Sequence, residues 1–352
     1  MAQELPPGPA RLLADGCAIP AHPLALTADR RLDERRQRAL TRYYVAAGAG
    51  GVAVGVHTTQ FAIRSAGLFE PVLDLARETI DEAAGNQPFL RIAGAVGDVQ
   101  QAVREAELAA ALGYHAVLLG PASSRDLDEQ DLLLRAKAVG EVLPVVGFYL
   151  QEAVGGRHLT RRFWRELADL PCVVAAKIAP FDRYRTLEAV RGIAEADRGS
   201  EVALYTGNDD TIVTDLLTPY TVDVGERVVQ RRIVGGLLGQ WAVWTRQAVR
   251  LLERARQAWA GDDAELRALL AESAPLTEAN AAVFDAVGGF AGCIAGVHEV
   301  LRRQGLLAGT WCLDPDEGLS PGQAEEIARV CQAYPELTDD AFVAEHLDSW
   351  LR

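Results

Sequence analysis

The chain has 352 residues, 49% of them hydrophobic, and a formal charge of −14. That is enough apolar material for a sizeable core, and the acidity argues against nucleic acid and anionic membrane as partners, because both need a basic surface. Five scattered cysteines (Cys17, Cys172, Cys293, Cys312, Cys331) never form a CxxC pair, so neither a disulfide framework nor a zinc site is indicated. No run reaches the roughly 18 to 20 apolar residues of a membrane helix, and MAQELPPGPARLL lacks a basic segment followed by an apolar one, so the expected location is cytoplasmic.

Eight short apolar runs recur along the chain: CAIPAHPLAL (17–26), GVAVGV (51–56), FLRIAGAV (89–96), AVLLGP (116–121), PVVGFYL (144–150), VVAAKIA (173–179), VALYTG (202–207) and IVGGLLG (233–239). Between them lie stretches with helical spacing, such as DERRQRALTRYYVAAG, DVQQAVREAELAAALG and RRFWRELADL, several ending in the glycine that terminates helices. Strand alternating with helix means parallel strands, and continuous apolar character means that both sheet faces are covered. Eight such units predict an α/β protein of the (β/α)8 TIM barrel type, assigned to residues 1–258. GAGGVA (48–53) precedes a strand instead of following one and is not a dinucleotide fingerprint. Beyond the eighth run, WAVWTRQAVRLLERARQAWAG, DAELRALLAES, NAAVFDAVGGFAGCIAGVHEVLRRQG and SPGQAEEIARVCQAY are helical by pattern. They predict a C-terminal helical region over 259–352, docked on the barrel.

In such a barrel the chemistry lies at the C-terminal ends of the strands. The polar residues there are His22, His57, Thr58, Thr59, Ser123, Ser124, Tyr149, Gln151, Lys177, Asn208, Asp209 and Asp210, and glycines Gly235 and Gly236 would let a ligand approach the backbone. Lys177 stands out. The chain uses lysine twice and arginine 33 times, so a merely solvated cation here would be an arginine. An amine can lose its proton and add to a carbonyl; a guanidinium cannot. The local sequence leaves two readings open: an amine nucleophile desolvated by the barrel interior, or a lysine neutralised by a carboxylate such as Asp209 or snorkelling to solvent. Six histidines without HxH or HExxH spacing give no metal site, and no cofactor is indicated.

The residues also carry a resemblance. A tyrosine in the fifth strand and a lysine in the sixth, Tyr149 and Lys177, lie 28 positions apart without a gap; HTTQF stands where a GTTGE element would, and GNDD near a GDD. Over nearly its whole length the chain resembles the dihydrodipicolinate synthase and N-acetylneuraminate lyase superfamily, the Schiff-base class I lyases. The resemblance implies that Lys177 attacks the ketone of pyruvate or another 2-oxo acid and that Tyr149 shuttles protons. It further implies that Thr58 or Thr59 holds the carboxylate, with Ser123, Gly236, Asn208 and Asp209 around the substrate, and that the protein is a homo-oligomer, a dimer or tetramer. There are departures. Val154 occupies the position of the synthases' carboxylate-binding arginine, which argues against authentic dihydrodipicolinate synthesis. Arg157, Arg183 and Arg185 are either anion contacts or loop residues. PASS, with Ser123, replaces an aromatic PYY, and Phe61 replaces a glutamate. An aldolase or dehydratase is one expectation; a non-catalytic ligand-binding or regulatory barrel of the same lineage is the other.

Overall fold

In the computed structural model, which describes residues 4–120, 127–225 and 227–352, each of the eight apolar runs becomes a strand. These are β1 (Ala18–Pro20), β2 (Gly51–Val54), β3 (Leu90–Ala95), β4 (Ala116–Leu119), β5 (Val145–Leu150), β6 (Val173–Ala179), β7 (Ala203–Thr206) and, after a hairpin of β8 (Tyr220–Val224) and β9 (Arg227–Arg231), β10 (Ile233–Leu238). β1 to β7 and β10 form the eight-stranded parallel sheet of a (β/α)8 barrel, as the alternation of strand and helix predicts.

The chain divides into two compact units. The first comprises the segment ending at Cys17 and Leu90–Leu237. Its strands lie in the order β3, β4, β5, β6, β7, β10, every neighbour parallel. The helices that follow β3 to β6 (Val99–Ala111, Glu129–Gly140, Arg161–Ala168 and Arg183–Glu195) each begin behind a capping side chain. Asp98, Asp128, Thr160 and Asp182 accept from the amides of Gln101, Asp131, Phe163 and Arg185, worth about 1 kcal/mol apiece. Two elements of this unit were not foreseen. The helix Pro7–Asp15 opens on Pro7, whose missing N–H costs nothing in a first turn, and receives the Tyr205 phenol on Leu13 O at 2.9 Å. The β8–β9 hairpin escapes a search for continuous apolar runs because it alternates: Tyr220 and Val222 are buried, Thr221 and Asp223 exposed, the pattern of a strand covered on one face only.

The second unit comprises Ala18–Phe89 and Leu238–Arg352. β1 and β2 run side by side through a parallel bridge between Ala21 and Ala53. The C-terminal helix Asp340–Trp350 docks on the helix Glu34–Ala47 through Tyr43, whose ring lies 5.5 Å from that of Trp350. The Tyr43 phenol donates to buried Asp339 at 2.7 Å and accepts from Thr245 N at 2.7 Å, so one hydroxyl ties three segments together. No helix among the described residues is long and apolar enough to cross a membrane.

Candidate active site

Lys177 is the fifth residue of β6, paired with Phe148 on β5 and Tyr205 on β7. Side chains alternate between faces of a strand, so its neighbours identify its face. An added Cβ on Gly147 would lie 2.8 Å from Leu167 Cδ2, and Tyr149 stacks on Trp164 with centroids 5.4 Å apart. Both partners belong to the helix Arg161–Ala168, so Gly147 and Tyr149 face outward and Phe148 and Lys177 face the interior. The lysine is 8% exposed. Its Nζ sits 4.4 Å from the Phe148 ring centroid, and among the described residues it forms no hydrogen bond or ion pair. Burial pulls its pKa from 10.5 down to about 8, opposed by the charge of Asp209.

Gly207, which sequence reading passed over, makes the room. A Cβ there would fall 2.5 Å from Lys177 Cε and 2.7 Å from Ala179 Cβ, so the lysine stem occupies the space of the absent side chain. The signal was a glycine directly after an apolar strand, in VALYTGNDD.

The register of the β5–β6 ladder places Tyr149. The β5–β6 ladder pairs Val145 with Val173, but then Val146 with Ala175 and Phe148 with Lys177. One extra residue, Val174, is bulged into β6, and the separation between partners changes from 28 to 29. A one-residue slip exchanges the faces. Tyr149 therefore lies beside Ile178, its phenol accepting a long 3.4 Å hydrogen bond from Leu159 N and its pKa raised by burial. Its neighbours in the ladder and the stack are Ile178 and Trp164.

Asn208 is also drawn elsewhere. Its amide donates to Thr186 Oγ1 at 3.1 Å and Asp215 Oδ2 at 2.9 Å, and its carbonyl oxygen accepts from Phe181 N at 2.9 Å. Fully buried Asp215 additionally accepts from Thr206 at 2.6 Å, from Tyr220 at 3.2 Å and from Arg183. Asn208 and Arg183 thus tie together the loops after β6 and β7. Gly236 pairs with Thr206 on the outward side of β7, whereas Gly235 pairs with Tyr205, where a Cβ would meet Cys17 O at 2.6 Å; packing explains that glycine. Asp209 is buried and acts electrostatically on Lys177. Arg185 pairs with Glu152, and Arg157 donates to Leu127 O. Ser123 lies outside the described residues.

In the second unit, Thr58 Oγ1 donates to Ala21 O at 2.8 Å. Thr59 Oγ1 donates to His22 O at 2.7 Å while accepting from Gly55 N and Val56 N. Both hydroxyl protons are given to backbone carbonyls. His22 is fully buried, 2.8 Å from Thr41 Oγ1, and burial holds its pKa at about 4; it is a neutral packing residue.

No family model and no curated protein matches the sequence. Solved structures do match. A dihydrodipicolinate synthase from Oceanobacillus iheyensis is 17% identical, with 93% of this chain and 98% of that chain covered, at TM-score 0.70. An N-acetylneuraminate lyase from Fusobacterium nucleatum complexed with pyruvate is 16% identical over 92% and 98%, at 0.70. A prophage protein of the dihydrodipicolinic acid synthase family from E. coli K12, in complex with pyruvate, is 17% identical over 91% and 97%, at 0.72. At such identities the likeness is one of fold, and the chain is a divergent (β/α)8 barrel with the fold of the dihydrodipicolinate synthase and N-acetylneuraminate lyase superfamily.

Proposed function

We propose that the protein is a Schiff-base-forming class I lyase, an aldolase or dehydratase, acting on pyruvate or a related 2-oxo acid. The observation that carries this reading is Lys177: a buried, unclamped amine on the inner face of β6, its pKa drawn to about 8, in a fold whose solved relatives include pyruvate complexes. The neutral Nζ adds to the ketone carbon; the carbinolamine takes up a proton on oxygen and loses water to give an iminium. That cation accepts the electron pair released at the adjacent carbon when a C–C or C–H bond there breaks, giving an enamine, and the enamine returns the pair when a C–C bond forms or when it expels a hydroxyl group as water. With Tyr149 on the other face of β5, the proton transfers fall to Asp209, the carboxylate that acts on the amine. Val154 at the place of the synthases' arginine supports a substrate other than that of dihydrodipicolinate synthase.

The outward phenol of Tyr149 favours one second reading, a barrel that binds a ligand without turnover. Incubation with pyruvate and borohydride, followed by intact-mass measurement, separates the two. The expected result is one reduced adduct, mapped to Lys177 and missing from Lys177→Met. No adduct with pyruvate or with a panel of 2-oxo acids would leave the binding reading standing.

A further inference from the structure

The strand face that carries Lys177 limits what can lie against the amine. Partners in a ladder share a face, so the registers carry that face across the sheet: Phe148 pairs with Lys177, Leu150 with Ala179, and Leu118 with Val146, two residues before Phe148. A Cβ on Gly207 would touch both Lys177 and Ala179, which puts Ala179 on the same side directly. Among the described inward positions of β3 to β7, only Lys177 and Tyr205 have polar side chains, and the Tyr205 phenol is turned to the N-terminal helix, where it donates to Leu13 O at 2.9 Å. Solvent reaches this face beside the amine: Leu150 and Lys177 are 7% and 8% exposed, whereas Val146 and Leu118, deeper in it, are 1% and 2%. A molecule whose ketone meets Nζ therefore lays its chain against Phe148, Leu150 and Ala179. Asp209 is the charge that acts on the amine, and it repels a second carboxylate. The arginines of the loops after β5 and β6 are engaged within the protein, Arg157 by Leu127 O, Arg183 by Asp215 and Tyr220, and Arg185 by Glu152. A distal carboxylate or a row of hydroxyls would lose water here without gaining a partner, whereas hydrocarbon is favoured by burial.

We propose that the substrate of this site is a 2-oxo acid whose chain beyond the ketone is hydrocarbon, apart from any hydroxyl at which the reaction itself occurs, and neither a dicarboxylate nor a sugar acid. The proposal rests on the Schiff-base reading of Lys177 and names the substrate class within it. The probes are 5-methyl-2-oxohexanoate and 2-oxoglutarate, which carry an isopropyl group and a carboxylate at the same end of the same chain, with pyruvate as the reference. With each acid, Nζ adds to the ketone, water leaves, and hydride from cyanoborohydride reduces the iminium carbon to a secondary amine, which intact mass and peptide mapping locate at Lys177. Initial rates on the full chain are divided by the rate of the same acid with Nα-acetyllysine, which removes the intrinsic reactivity of each ketone. The hydrocarbon acid should then be trapped at least about tenfold faster than 2-oxoglutarate, the lower end of what a methylene is worth in an apolar pocket. Leu150→Asn should bring that ratio toward one. A smaller ratio in the native protein, or a Lys177 that traps pyruvate but not the hydrocarbon acid, would overturn the proposal while leaving the amine chemistry in place. No adduct with any of the three acids would remove the Schiff-base reading and this proposal with it. The two acids are compared on the native chain, so the result is decisive even if Leu150→Asn fails to fold.

Discussion

Phe148 and Lys177 face each other across the β5–β6 ladder, the ammonium 4.4 Å from the ring centroid, while Tyr149, one residue on, looks the opposite way toward Trp164. A phenyl face attracts a cation but supplies no proton. Tyr149→Phe is therefore expected to leave the rate of borohydride trapping at Lys177 essentially unchanged. It should cost only about 0.5 kcal/mol of stability, the low end for a hydrogen bond, since the one it loses is long. A time course of adduct mass and a denaturant melt check both halves. A tenfold slower trapping reaction would return the phenol to the mechanism.

The depressed pKa of Lys177 has a thermodynamic counterpart. In the unfolded chain the amine titrates at 10.5 and in the fold at about 8. Between these values the unfolded state binds more protons, so stability rises with pH across that window, and below about 8 the folded protein bears the full cost of a buried ammonium. At 1.36 kcal/mol per pH unit that cost is on the order of 3 kcal/mol. Lys177→Met should thus be more stable than the native protein at neutral pH, with the difference shrinking as pH climbs toward 10.5. Urea melts at a series of pH values measure it; a variant less stable at pH 7 would mean that the lysine is paired.

The eight strands were legible because each is covered on both faces, which leaves an uninterrupted apolar run in the sequence. The same property hid the orientation of Tyr149. A strand reading GFYL carries no alternation to tell which of Phe148 and Tyr149 faces inward, and a gap-free spacing of 28 counts residues without seeing that Val174 is bulged out of the ladder. Lys177 was legible for a different reason, the rarity of lysine in the chain. The hydrogen bonds of Asn208 were not, because its partners Thr186 and Phe181 come from the preceding βα unit. Thr58 and Thr59 likewise show in sequence only that hydroxyls are present; that their protons go to Ala21 O and His22 O is a tertiary fact.

Gly207 gives a test of how tightly the amine is positioned. An alanine methyl would crowd both the flexible Cε of Lys177 and the fixed Cβ of Ala179. The lysine can yield but the strand cannot, so the stem must swing away from Phe148. Gly207→Ala should remain folded, lose about 1 to 3 kcal/mol by overpacking, and trap pyruvate far more slowly than the native protein. Comparing its melting curve with its adduct yield separates displacement of the amine from loss of the fold; undiminished trapping would show that the lysine does not need this space.

Asp209 raises the Lys177 pKa, against the lowering by burial. Replacing it by asparagine removes the negative charge while keeping the shape, so the ammonium loses this opposing support and its pKa falls further below about 8. The rising limb of imine formation against pH follows deprotonation of the nucleophile, and in Asp209→Asn its midpoint should therefore move to lower pH. If Asp209 also carries the proton to the departing water, the plateau of the same profile should drop by about 10²- to 10⁴-fold, the range for a lost general acid or base. The two effects are independent readouts of one profile, recorded as initial trapping rates with cyanoborohydride from pH 5 to 10. A midpoint shift with an intact plateau makes Asp209 an electrostatic tuner alone. A midpoint that stays put or moves upward removes Asp209 from the chemistry, because no removal of a neighbouring anion can make an ammonium harder to deprotonate.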